Sequence, residues 1–245
     1  MVRCAIRLYS RCVSTVTADR EGSMSTSRDH IVEAIVTVIA AGGIEKATVR
    51  TVASQAGVSI GAVQHHFPSK AAMLTAAMAA TSDAVTADIE DYLSTLEPAG
   101  TPAEAAGQAA SVLRHLSFML CSISEDDLAA AGIWLDFVAL SRVTPSLAQI
   151  HTRTWTQLRK QMSELIAAAH PQHPDPEAAA GWALATFDGI AISRATEPQF
   201  MTGTRAAALA ERTLAAIAAE AAGATGTGTS GAEPTTASAP VTGTV

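Results

Sequence analysis

The 245 residues are 48% hydrophobic but only 4% aromatic, so the chain can bury a sizeable core, built from helices that pack closely through alanine. No apolar run approaches the roughly eighteen residues of a membrane-spanning helix, and no membrane association is expected. The three cysteines, Cys4, Cys12 and Cys121, lie far apart without metal-ligand spacing, which fits a reducing cytoplasm.

Residues 1–24 read as an extension. Arg7 and Arg11 interrupt any apolar signal region, so a cleaved leader is not expected. The segment reads as disordered or non-native, with Met24 the natural start; a basic DNA-binding arm is the other reading. The first helix is expected from Ser27 to Ala41, with Ile31, Ala34, Ile35, Val38 and Ile39 on one face. Gly42 and Gly43 break it, and Ile44 closes the small core.

The most informative stretch is TVRTVASQAGVSIGAVQHHFPSK, Thr48 to Lys70. Thr48 is an N-cap, because its hydroxyl can accept an orphan backbone N–H one turn on. Val49, Val52, Ala53 and Ala56 form one apolar face. Gly57 ends that helix in the left-handed conformation, which costs glycine little. Val58 plugs the turn, Ser59 caps the next helix, and Ile60 and Val63 face back to the first. Phe67-Pro68 stops it, and Ser69 caps another helix opening at Lys70. Two short helices about a glycine turn make a helix-turn-helix, whose second helix can enter the DNA major groove.

This segment resembles the DNA-binding domain of the TetR family of bacterial transcription regulators. The matching residues are Thr48, Val52, Ala53, Ala56, Gly57, Val58, Ser59, Gly61, Val63, His66, Phe67, Lys70 and Leu74. Gln64 stands where the family usually has a phosphate-contacting tyrosine; an amide can also donate to phosphate. The resemblance implies a double-stranded operator as partner, with Ser59 to His66 in the major groove. Gly61 would allow close approach, with Ile60, Ala62 and Gln64 nearest the base edges. Thr48, His66 and Lys70 would hold phosphates, with His65 beside them and Arg50 where family members often reach DNA. Charge agrees: residues 1–75 hold eight Arg or Lys against five acids, a balance of +3, leaving −10 for the rest.

Beyond the head, a fourth helix is expected from Ser69 to about Tyr92. Thr101-Pro-Ala-Glu104 is a capping box opening a helix to about Ser122. Ser124 opens another, with the acidic first turn Glu125 to Asp127. Thr144-Pro145 opens a long one to about His170, Asp175-Pro176 one to about Thr196, and Thr204 the last, to about Ala221. The fold class is therefore all-α, about nine helices without a strand. Domains are expected at 25–72 for the head and 73–221 for a ligand-binding and dimerisation body, with 222–245 a disordered tail.

The body resembles the C-terminal domain of BetI-like family members, in GIWLDFVALSRVTPSLAQIHTRTWTQLRKQMSELI and DPEAAAGWALATFDGIAISRA. That implies a homodimer through its last two helices, at Ala180, Leu184, Phe187, Asp188, Leu209 and Ile217. A buried core would produce the same stripe. It also implies a small-molecule effector. Phe118, Met119, Trp134, Phe137 and Trp155 are the candidate lining, with Asp136, or Asp188, as counter-charge; plain core packing is the simpler reading of any single one of them.

No nucleophile–base motif, phosphate loop or dinucleotide fingerprint is present, and His65, His66, His170 and His173 lack metal spacing. Neither a catalytic site, a cofactor nor a metal is expected. The reading is a dimeric, cytoplasmic, ligand-responsive repressor. The alternatives are an activator or ligand-blind DNA binder with the same head, and a small helical hydrolase.

Overall fold

The structure, a computed structural model, describes residues 27–124 and 128–226. Among these residues it has nine α-helices and no strand. They are α1 (Ser27–Gly42), α2 (Val49–Ala56), α3 (Ile60–His66), α4 (Lys70–Ser94) and α5 (Pro102–Leu120), then α6 (Leu128–Ser141), α7 (Pro145–Ala169), α8 (Pro176–Thr196) and α9 (Gly203–Gly226). A 3-10 turn, Ile44–Lys46, joins α1 to α2.

Helix boundaries follow side chains that satisfy orphan backbone groups. Thr48 accepts from the Thr51 N–H and Thr51 reciprocates to the Thr48 N–H, so α2 opens on a capping box. Ser59, Ser69 and Asp175 cap α3, α4 and α8 in the same way. Thr101 and Glu104 form the box at α5, with Pro102 at the first helical position. Gly57 takes φ 65°, ψ 27°, and its N–H bonds back to close α2. Thr144 precedes Pro145 but makes no side-chain cap, so the proline alone marks that start. The acidic turn expected at Glu125–Asp127, and the expectations for residues 1–24, lie outside the described residues. At the other end α9 runs on to Gly226, past the Ala221 expected from composition. Tail chemistry begins before the helix ends because a helix tolerates small polar residues at its last turn.

Two cores hold the chain. The head core gathers Ile31, Ile35, Val52, Val63, Phe67 and Met73. It also takes in Ile133 and Phe137 of α6 and Leu147 of α7, so head and body share one buried cluster. The body core packs α5, α7, α8 and α9 through Leu116, Met162, Ile166, Ala183, Phe187 and Ala210. Alanine on α8 and α9 lets these helices approach closely. Arg194 is fully buried there; its guanidinium donates to the carbonyls of Ser122 at 3.1 Å and Met201 at 2.9 Å. A buried guanidinium is tolerable only when so bonded. It ties the end of α5 to the α8–α9 loop.

This core corrects the expected dimer residues. Ala180, Leu184, Phe187 and Ile217 are 0–2% exposed within one chain, so they are core. Leu209 is half-buried against the same cluster, and Asp188 turns toward α6. The stripe was the buried one of its two readings. The outward faces carry other residues: Ala178, Ala185, Gly189 and Ile192 on α8, and Ala208, Arg212, Ala215 and Ala219 on α9.

Candidate nucleic-acid interface and effector pocket

The outward surface of the head is α3 and what flanks it. Val63 is 0% exposed and anchors α3 on α2. Helical spacing then turns Gly61, Gln64 and His65 outward. Ile60 does not pack back on α2 as expected; it is 48% exposed. Ala62 and His66 are half-buried, and His66 lies edge-on to His65 and beside Phe67. Gly61 is not demanded by the fold: a Cβ there would meet nothing closer than the Ser59 hydroxyl at 3.8 Å. Its missing side chain keeps the outer surface of α3 low.

Thr48 and Ser59 are exposed, but their hydroxyls already accept capping N–H groups. Arg50 is exposed on the first turn of α2. Lys70, opening α4, stands 3.4 Å from Glu45 of the 3-10 turn. That exposed pair is worth little in water and can yield its ammonium to a stronger anion. Among the described head residues the cations are Arg28, Lys46, Arg50 and Lys70, against Asp29, Glu33 and Glu45. Four of the arginines behind the expected +3 (Arg3, Arg7, Arg11 and Arg20) lie outside the described residues.

In the body a cavity of about 590 Å³ lies among α4, α5, α6, α7 and α8, and Val36 of α1 reaches its wall. Of the expected lining, Met119, Trp134 and Trp155 are in it. Trp134 and Trp155 stack at 4.7 Å with their planes 14° apart, and His151 leans on both. Asp188, the second candidate acid, also lines the cavity, and the Trp134 indole N–H donates to its carboxylate at 3.4 Å. Burial lifts the Asp188 carboxyl to about 6, against the lowering effect of that bond. Next to it Cys121 is pushed up to about 12, by burial first and Asp188 second, so it is an inert thiol.

Three expected lining residues are elsewhere. Phe137 is 0% exposed inside the head core. Phe118 lies under the Arg114 guanidinium, 4.1 Å from its ring centre. Asp136 faces the head: its carboxylate accepts the Ile44 backbone N–H at 2.9 Å. Two helical positions separate Trp134 in the cavity from Asp136 at the head, because successive residues on α6 point about 100° apart. The sequence reading also missed the cavity's polar lining, Asp83, Arg153, Gln157 and Gln161. Burial raises Asp83 and the Arg153 charge opposes that rise. A signal existed: Arg153, Gln157 and Gln161 recur every four residues beside the apolar Leu158–Met162 line of α7.

Residues 31–77 match the model for bacterial regulatory proteins of the tetR family, and residues 109–219 that for the C-terminal domain of BetI-type transcriptional repressors. The chain is 27% identical over 190 residues to the HTH-type transcriptional regulator BetI of Escherichia coli K12, spanning 77% of this chain and 92% of that one. The BetI of Stenotrophomonas maltophilia is 27% identical over 175 residues, 70% of this chain and 82% of that one. Among solved structures, a transcriptional regulator from Rhodococcus sp. Rha1 is 30% identical with a TM-score of 0.66, covering 78% of this chain and 96% of that one. A regulator from Saccharomonospora viridis, solved in complex with choline, shares the fold at TM-score 0.64 and 18% identity, over 77% of this chain and 95% of that one.

Proposed function

Because this chain belongs to the TetR family, with a BetI-type C-terminal domain, and is a DNA-binding transcriptional regulator, we propose that it is a homodimeric cytoplasmic repressor released from its operator by an organic cation. The observation that carries the ligand reading is the pairing of Asp188 with the stacked Trp134–Trp155 plate in one cavity. A carboxylate in a half-buried site gains from a cationic partner, and an indole face attracts the same charge by about 0.5–2 kcal/mol. The choline carried by the Saccharomonospora regulator is in keeping with that class.

On DNA, α3 would lie in the major groove with Gly61 nearest the bases. Exposed Ile60 offers an apolar contact of the kind a thymine methyl accepts. Gln64 and His65 are outward and polar, suited to base edges or phosphates. Thr48, Arg50, His66 and Lys70 would hold the backbone, Lys70 leaving Glu45 to do so. For assembly the outward faces of α8 and α9 replace the buried stripe. Ala185, Gly189 and Ala215 allow close helix approach, and a two-fold dimer uses each twice.

Effector binding would act through two elements: α4, which joins head to body, and α6, which carries Trp134 on one face and Asp136 on the other. An effector lowers operator affinity only by preferring the state with displaced heads. The test is a gel shift against DNA flanking the protein's own gene, with and without choline. A specific complex that choline weakens supports the reading. Absence of any sequence-specific complex refutes the repressor function, and a complex that no organic cation weakens refutes the effector class.

A further inference from the structure

We propose that the effector is an elongated organic monocation, its charged head deep in the cavity at Asp188 and its chain running out between α4 and α7. This rests on the cation reading above and adds the size and polarity of the ligand. The cavity is graded from one end to the other. Half-buried Asp188 shares the lining with Ser122, Ala131, Ile133 and Ala191, all buried. At the other side Asp83, Thr86, Arg153 and Gln157 are exposed and form the mouth. Between them the walls are apolar or aromatic, with Val85, Met119, Ile150, Trp155 and Leu158.

Charge sets the valence. Asp83 and Arg153 act on each other at the mouth and offset one another. Asp188 is the one acid left without a basic residue beside it in the lining, so a single positive charge at the deep end balances the site. Volume sets the length. About 590 Å³ is room for a drug-sized guest, and a choline-sized ion at Asp188 would leave most of the apolar wall against water. A chain covering that wall removes it from water, and each buried methylene tightens binding up to about fourfold. A polar far end would meet Gln157 and Gln161.

The experiment is calorimetric titration of the full-length protein with tetramethylammonium, choline, and butyl-, hexyl- and octyl-trimethylammonium below their micelle concentrations. 1-Octanol serves as the uncharged control. We expect affinity to rise two- to fourfold per methylene along the alkyl series, with octanol at least tenfold weaker than the octyl cation. Asp188→Asn should weaken every cation by a similar factor. Val85→Trp, which narrows the channel, should abolish the gain in affinity with chain length. Choline binding as tightly as the octyl cation overturns the elongated guest while leaving the cation reading standing. Equal binding of octanol and the octyl cation, or no binding by any ammonium, removes the cation reading itself. Octyl binding unaffected by Val85→Trp shows that the chain does not take this route.

Discussion

The Asp136–Ile44 bond makes a prediction that separates head–body coupling from ligand contact. Asp136 stands on α6, two residues after Trp134, and its carboxylate accepts the N–H that opens the 3-10 turn after Gly43. That N–H is partly buried and has no place in a helical ladder. Asp136→Ala leaves it without this acceptor, at a cost of about 1–3 kcal/mol, with the lower half of the range apt because solvent can reach the site. For a body of this size about 1 kcal/mol is worth roughly 2–4 °C in melting temperature. A fall of about 2–8 °C is therefore expected by calorimetry. Asp136→Asn keeps a carbonyl acceptor and should lose less than half as much. Since the side chain faces away from the cavity, both variants should bind a cationic effector normally. The factor by which the effector weakens operator binding should nevertheless shrink in Asp136→Ala, because the head is tied less firmly to α6. Unchanged melting in Asp136→Ala, or weakened effector binding with intact coupling, would refute the reasoning.

Gly61→Ala should hold or raise thermal stability, as alanine in an open helical position gains roughly 0.5–1 kcal/mol, yet lower operator affinity at least tenfold in a gel shift. Lys70→Ala should weaken all DNA sequences alike and reduce the salt slope by about one unit, while Glu45→Gln, which frees the same ammonium, should tighten them modestly. Because the Asp188 carboxyl is raised to about 6, the folded state favours its proton, and the ionised form is a cost to stability above that pH. Asp188→Asn should then be more stable than wild type at pH 7–8, with the gain fading as pH falls through 6 toward 4. A quaternary ammonium should bind about tenfold more weakly at pH 5 than at pH 7 in wild type, and with no such trend in that variant. Ala185→Glu, on the outward face of α8, should yield folded monomers in analytical ultracentrifugation. Leu184→Glu should instead lower the melting temperature steeply, because it places a charge in the core.

Local chemistry determined a great deal by itself. The caps at Thr48, Ser59, Ser69, Thr101 and Asp175, the left-handed Gly57 and the prolines at 102, 145 and 176 set where helices begin and end. Each rests on hydrogen bonds or dihedral limits within a few residues, so sequence alone suffices to read them. The ordered spacing of Gly57, Ser59, Gly61 and Val63 likewise placed the turn and the buried anchor of α3, but not the outward direction of Ile60. Which apolar stripe is core and which is interface was a different question. Ala180, Leu184 and Ile217 are spaced like a dimer seam and like a buried face, and only the packing of α5 and α7 over them decided. The same holds for Asp136 and Asp188, two acids in apolar helices with opposite roles. A side chain's direction from its own helix is periodic and legible, but what lies in that direction is set by helices distant in sequence. Here that is the 3-10 turn 92 residues away for Asp136, and Trp134 54 residues away for Asp188.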